Sequence, residues 1–475
     1  MDDSDIGKTE SFWALDIQTQ SFYQISAVLL AENADCMVYA ESDAQGKAVI
    51  DTPVAEGIAR EYSQNIYVPM TSTFGPITHI TKKNKVTFLL LDIRDGYDPA
   101  EESSGYVAGY FYPEDMEDRV NSNRRDMLYI DTNPGLLEME VIYSTMAHEL
   151  QHLINYSNTV LAKGREQDLW INEGLSTAAE YIYGGDPANR VIYYNEDWLR
   201  TILLGNNFFV WYGDWELGIF GDVLADYATV YLFFQWLRLH ADNDTGIYKE
   251  IINSPYFDYR AVTETARNRI PALGLSGSFP ESDWEKMLRT WMLANAIQSE
   301  TGLLGYRKKI SEITRNKVEK LETSYVPDTN RGSWEFSPGE GRFSKIVSSS
   351  YTPPAGSGSH IRYLGFNMDG AFDLTPPYEG KYLLTFNANA NNRVVVYLPD
   401  DKMALLPGET GYLASSVGAA PAKETFGGTA ASSRTAAGTS ARPASYPVDA
   451  GFLIKKRQWE KSRAAAAAGV NPPGK

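Results

Sequence analysis

Residues 148–152 read His-Glu-Leu-Gln-His, and no other run restricts the surrounding chain so tightly. A helix advances about 100° per residue, so side chains four apart lie nearly one above the other. In helical form the run puts both imidazoles on one face with the Glu149 carboxylate beside them. The flanks predict such a helix, beginning after the Asn133-Pro134-Gly135 turn and ending near Asn158. Ile142, Met146, Leu150 and Leu153 recur at spacings of four, four and three, an apolar stripe for burial. Val141, Thr145, His148, His152 and Tyr156 fall on a different face. Two solvated histidines would not need so apolar a helix around them. Imidazoles at i and i+4 can grip one zinc ion, and the adjoining carboxylate can take a proton from a metal-bound water.

Catalytic zinc usually has three protein ligands and one open position, so a third ligand is required. Residues 170–181, Trp-Ile-Asn-Glu-Gly-Leu-Ser-Thr-Ala-Ala-Glu-Tyr, supply Glu173 in the first turns of a second helix that Asp168 can cap. Twenty residues lie between His152 and Glu173, enough for a short loop and a return to the first helix. Glu180 follows two turns further along the same face. It either accepts a hydrogen bond from the outer N–H of a ligand histidine or is a solvated helix charge.

With those residues in hand, the chain resembles the gluzincin metallopeptidases, in which Asn-Glu-Gly follows His-Glu-x-x-His by about twenty residues and its glutamate is the third zinc ligand. More narrowly it is similar to the hyicolysin family of bacterial metallopeptidases. The stretches that carry this are Leu89-Leu90-Leu91-Asp92-Ile93, Gly109-Tyr110-Phe111-Tyr112-Pro113, Met127-Leu128-Tyr129-Ile130-Asp131, Ala147 to His152 and Trp170 to Gly174. They span most of residues 10–300. The resemblance implies zinc on His148, His152 and Glu173, with Glu149 as catalytic acid/base. It also implies a zincin-like α+β domain, a mixed sheet forming the upper half and helices the lower. The Gly-x-Met-Glu-Asn segment by which gluzincin aminopeptidases hold a free amine is absent, since Leu137-Glu138-Met139-Glu140 falls inside the predicted helix. That favours cutting inside a chain.

Gluzincins commonly stabilise the oxyanion of the tetrahedral intermediate with a tyrosine or histidine. The apolar helix opening at Asp226-Tyr227-Ala228-Thr229 resembles the one that carries such a tyrosine in related families. Tyr227 is the candidate, with Tyr231 and His240 behind it. His79 and His360 read as ordinary surface or core residues.

A net charge of −18 with no concentrated basic surface argues against a nucleic-acid partner. Cys36 is the single cysteine, so no internal disulfide can form. No apolar stretch approaches a membrane span. The acidic start, Met1-Asp2-Asp3-Ser4-Asp5, has no hydrophobic signal core. The hyicolysin resemblance implies export, so a secreted or envelope-associated protein that has lost a signal is expected. Oligomeric state leaves no mark in the sequence.

Four segments follow from pattern along the 475 residues. Residues 1–53 are a β-rich N-terminal segment with strands at 12–16, 22–25 and 36–39, and 54–325 form the metallopeptidase domain. Within it, Val54 to Tyr62 reads as a helix after Pro53, and Val86 to Leu91 as a buried central strand. Leu128 to Ile130 is either an edge strand that docks extended peptide by strand addition or an ordinary internal strand. Ser282-Asp283-Trp284-Glu285 reads as a capping box. Asp92, Asp95 and Asp98, or Asp242, Asn243 and Asp244, could hold a structural Ca2+ or be solvated turns. Residues 331–405 read as a small all-β module with strands at 363–366, 381–386 and 393–398. Residues 411–475 are a low-complexity tail, expected to be disordered, that carries the basic Lys455-Lys456-Arg457.

The expectation is a zinc-dependent endopeptidase acting on a protein or peptide substrate. Two alternatives stand beside it: a zinc aminopeptidase or amidase using the same site, and an adhesin-like surface protein on a zincin scaffold with weak or regulated proteolysis.

Overall fold

The computed structural model describes residues 5–100, 105–185, 190, 191, 194, 208, 209, 223–310, 334–336, 338–346, 349–353, 360–390, 396–398 and 446–447. The expected tail, apart from 446–447, lies outside these residues, as do the 325–331 boundary and the first residues of the strand expected at 393–398.

The fold is mixed α+β. One six-stranded mixed sheet is built from β1 (Thr9–Asp16), β2 (Ser21–Glu32), β3 (Cys36–Glu41), β4 (Val86–Leu91), β5 (Gly109–Tyr110) and β6 (Met127–Asp131), in the order β1-β2-β3-β4-β6-β5. The first three strands run antiparallel as a meander, β3, β4 and β6 are parallel neighbours, and β5 returns antiparallel on β6. The parallel pairing of Cys36–Ala40 with Val86–Leu90 carries the sheet across residue 53, so the N-terminal strands and the following segment share one sheet.

The unbroken apolar run of β4 has its reason in this position. Phe88 and Leu90 point into the larger core beneath the helices, while Leu89 and Leu91 point into a smaller core with Phe12, Tyr39 and Tyr129 on the other face. A strand covered on both faces needs no polar alternation.

Leu128–Ile130, readable from sequence as either a docking edge or an ordinary internal strand, is internal: β6 is paired on both sides, to β4 and to β5. Among the described residues the sheet ends on β5, a two-residue strand too short to show any period in sequence.

Helices α1 (Thr52–Glu61) and α2 (Tyr67–Phe74) are joined by a π-turn at Tyr62–Ile66, so the helix expected at 54–62 starts two residues earlier and runs on. A 3-10 turn at Gly135–Leu137 precedes α3 (Met139–Tyr156), which leaves Leu137 and Glu138 outside the helix. The remaining helices are α4 (Leu169–Gly184), α5 (Val223–His240), α6 (Gly246–Asn253), α7 (Tyr259–Arg269) and α8 (Pro280–Ile297). Asp168 is the residue before α4, but its side chain makes no capping bond. The capping box at 282–285 is likewise absent. Pro280 opens α8, and the Asp283 carboxylate accepts from the Ser276 and Gly277 N–H groups at 2.7 Å each.

A separate antiparallel sheet follows, of β7 (Gly341–Lys345), β8 (Ile361–Phe366), β9 (Phe372–Asp373) and β10 (Tyr382–Asn387), in the order β9-β8-β10-β7. Its Phe343, Leu364, Phe366, Leu384 and Phe386 belong to the same continuous core as Met292 and Trp291 of α8. Among the described residues no helix is long and apolar enough to cross a membrane.

Candidate metal centre

The site begins with the turn that launches α3. Asp131, at the end of β6, accepts from the Ile93 N–H at 3.1 Å and from the Gly135 N–H at 2.9 Å, which ties the central strands to the helix entry. Along α3, Ile142, Met146, Leu150 and Leu153 are fully buried, as their spacing predicts. The opposite face carries His148 and His152, ring centroids 4.9 Å apart and planes at 72°.

α4 packs against α3 and supplies Glu173. Its close approach to α5 depends on Gly174, where a Cβ would collide with the Phe234 ring. Glu173 Oε2 lies 3.5 Å from His148 Nε2 and 3.4 Å from His152 Nε2, and the three side chains are 7–12% exposed. The Ser176 hydroxyl reaches the same carboxylate oxygen at 3.2 Å. Among the described residues, these three are the group of His, Cys, Asp and Glu side chains whose ligand atoms converge within 4.8 Å.

The spacing suits a metal ion better than a hydrogen bond. Zinc–ligand bonds of about 2.1 Å at tetrahedral angles put ligand atoms about 3.4 Å apart. A good N–H···O hydrogen bond is shorter, about 2.9 Å. The observed 3.4 and 3.5 Å match the tetrahedral edge, with one corner left for a further ligand.

Burial alone would push the His148 imidazole down, yet Glu173 and Glu180 outweigh it and raise the group to about 10. Burial also works against ionised Glu173, and His152 and His148 outweigh that, holding its carboxyl far below the ordinary range. Glu180 is no solvated charge. It is buried, and its Oε1 accepts from His148 Nδ1 at 2.8 Å, the outer-nitrogen contact that sets a ligand imidazole's orientation.

Glu149 is 9% exposed, and its Oε2 accepts from the Phe111 backbone N–H at 2.9 Å. That bond brings the end of the sheet to the site. Gly109 makes it reachable, because a Cβ there would stand 2.7 Å from the Tyr129 carbonyl and 2.9 Å from Thr145 Cγ2 on α3. Tyr227 is buried with its ring 6.0 Å from that of His148. Tyr231 is buried one turn further on. His240 is about 20 Å along α5 from Tyr227, bonds the Gly305 carbonyl at 2.9 Å and is pushed down to about 4 by burial, so it takes no part in the site. His79 pairs with buried Asp126 at 2.8 Å. Of the acids weighed for calcium, three accept from nearby backbone amides in turns, Asp95 from Tyr97, Asp98 from Ala100 and Asp244 from Gly246, and Asp95 also accepts from the Val107 N–H.

Sequence reasoning missed Ser176, the Phe111 amide and Arg190. Ser176 carries a signal, three residues after Glu173 on one helix. A backbone donor has none.

No family model matches the chain. Over 338 residues it is 26% identical to the neutral metalloprotease ShpI of Staphylococcus hyicus, an alignment covering 69% of this chain and 72% of that protein. The chain is thus a metalloprotease relative, and the residues that could hold its metal are His148, His152 and Glu173.

Proposed function

We propose that the chain is a zinc-dependent endopeptidase of the gluzincin type, with His148, His152 and Glu173 as metal ligands and Glu149 as general acid/base. The observation that carries this reading is the convergence of three ligand atoms within 4.8 Å, with Glu173 Oε2 3.4–3.5 Å from each imidazole nitrogen, beside a buried carboxylate. Zinc, when bound there, supplies Lewis-acid polarisation of the scissile carbonyl and lowers the pKa of its water toward about 7.

The chain's own groups do the rest. Glu149, oriented by the Phe111 N–H, takes a proton and passes it to the leaving amine. Tyr227, packed beside His148, offers a phenol for the developing oxyanion, worth a few kcal/mol in such sites. The outer edge of β5, Gly109–Tyr110, ends the sheet next to Glu149, and an extended peptide would add there as a further strand. Internal cutting is favoured because the chain has no Gly-x-Met-Glu-Asn segment for a free amine. A secreted or envelope location goes with the hyicolysin resemblance.

Glu149→Gln keeps the carbonyl-type acceptor for the Phe111 N–H and removes the base. It should retain zinc at wild-type stoichiometry while cleavage of casein falls by at least about 10²-fold. Wild-type cleavage by that variant would refute the assignment.

A further inference from the structure

Arg190 lies beyond α4 with its side chain 16% exposed, and it touches two groups that flank one ligand imidazole. Its Nη2 donates to Glu180 Oε1 at 2.8 Å and its Nε to Glu180 Oε2 at 3.3 Å. The guanidinium carbon lies over the Tyr227 ring, 4.6 Å from its centroid. Glu180 receives His148 Nδ1 at 2.8 Å, and the Tyr227 ring stands 6.0 Å from the His148 ring. The four side chains therefore close a cycle: His148 to Glu180, Glu180 to Arg190, Arg190 to Tyr227, Tyr227 to His148. No member can rotate without breaking two contacts.

We infer that Arg190 is the positioning residue of this centre, clamping Glu180 behind His148 and seating Tyr227 beside it with a single guanidinium. The inference rests on the zinc-peptidase reading above. Its chemistry requires arginine. A buried carboxylate needs a countercharge, and the fork supplies two donors to its two oxygens. The same group lies over the phenol ring, a cation–π contact that an ammonium with its compact, strongly hydrated head makes less well. Without the clamp, Glu180 would keep only the imidazole N–H and turn more freely. The His148 ring would then be held less firmly for the metal, and Tyr227 would lose the face that fixes its phenol.

The test uses the full chain and two readouts. Zinc release to a chromogenic chelator is followed without substrate, and kcat and KM are measured on a peptide. Arg190→Met should speed zinc release about 10- to 100-fold and lower kcat with KM little changed, the pattern of a group that serves the transition state. Arg190→Lys, which keeps the charge, should fall between Arg190→Met and wild type on both readouts. In a Glu180→Gln background Arg190→Met should speed release by less than about threefold, because the group it clamps is gone. Wild-type release and kcat in the Met and Lys variants, or effects that simply multiply in the double variant, would overturn the inference. A wild-type chain that takes up no zinc would instead overturn the underlying reading.

Discussion

His148, His152 and Glu173 meet at distances that suit a metal ion, and the charges around them determine how that ion must enter. Glu173 and Glu180 outweigh burial and lift His148 to about 10, and His152 is raised as well. At neutral pH this shared site therefore carries a proton that zinc has to displace. Zinc addition should release about one proton or more per ion, and apparent affinity should climb as pH rises toward that value. Titration calorimetry in two buffers of different ionisation enthalpy reads the proton directly. Heats independent of the buffer would contradict the charge assignment.

Much of this residue-scale detail was legible beforehand, and the limits have physical reasons. The two histidines and Glu149 announce themselves by helical spacing, and Glu173 by its place in a second helix. Glu180 stood equally as ligand support or solvated charge, because periodicity gives its face but not what covers that face. Arg190 has no periodic relation to either helix of the motif, so only the folded chain brings it to Glu180.

At the scale of elements, two glycines let secondary structure approach the site. Gly174 admits α5 against α4, and Gly109 admits β5 over Thr145 of α3. Gly109→Ala should push the edge strand off the helix and lengthen the Phe111–Glu149 bond. We expect a stability loss of about 1–3 kcal/mol and a fall in kcat/KM approaching about 10²-fold. Zinc content should be unchanged, since the ligands sit on α3 and α4. Steady-state kinetics with metal analysis checks this, and wild-type kcat/KM would show that the β5 contact does not orient the base. Sequence leaves Leu128–Ile130 open between edge and internal strand, because the strand that covers it, the two-residue β5, has no alternation to detect.

For the whole molecule, the continuity of the core matters most. The small antiparallel sheet shares buried contacts with α8, with Gly341 against Met292 and an Arg362–Glu285 ion pair at 2.9 Å across the junction. A pattern-based boundary near 331 marks a change in composition, from helix to turns and short strands, and says nothing of what those strands pack on. Elements sharing one core unfold together. Calorimetry on the full chain should show a single main transition, and two well-separated peaks would mean that the sheet folds on its own.

On the proposed reading, this assembled centre cuts peptide bonds inside a chain by means of its metal. The most direct test is a digest of a mixed peptide pool by the purified protein, with products sequenced by mass spectrometry, with and without a zinc chelator. Internal cuts are expected on both intact and N-terminally blocked peptides, lost with chelator and restored by zinc. Removal of single N-terminal residues, or cleavage indifferent to the chelator, would contradict it.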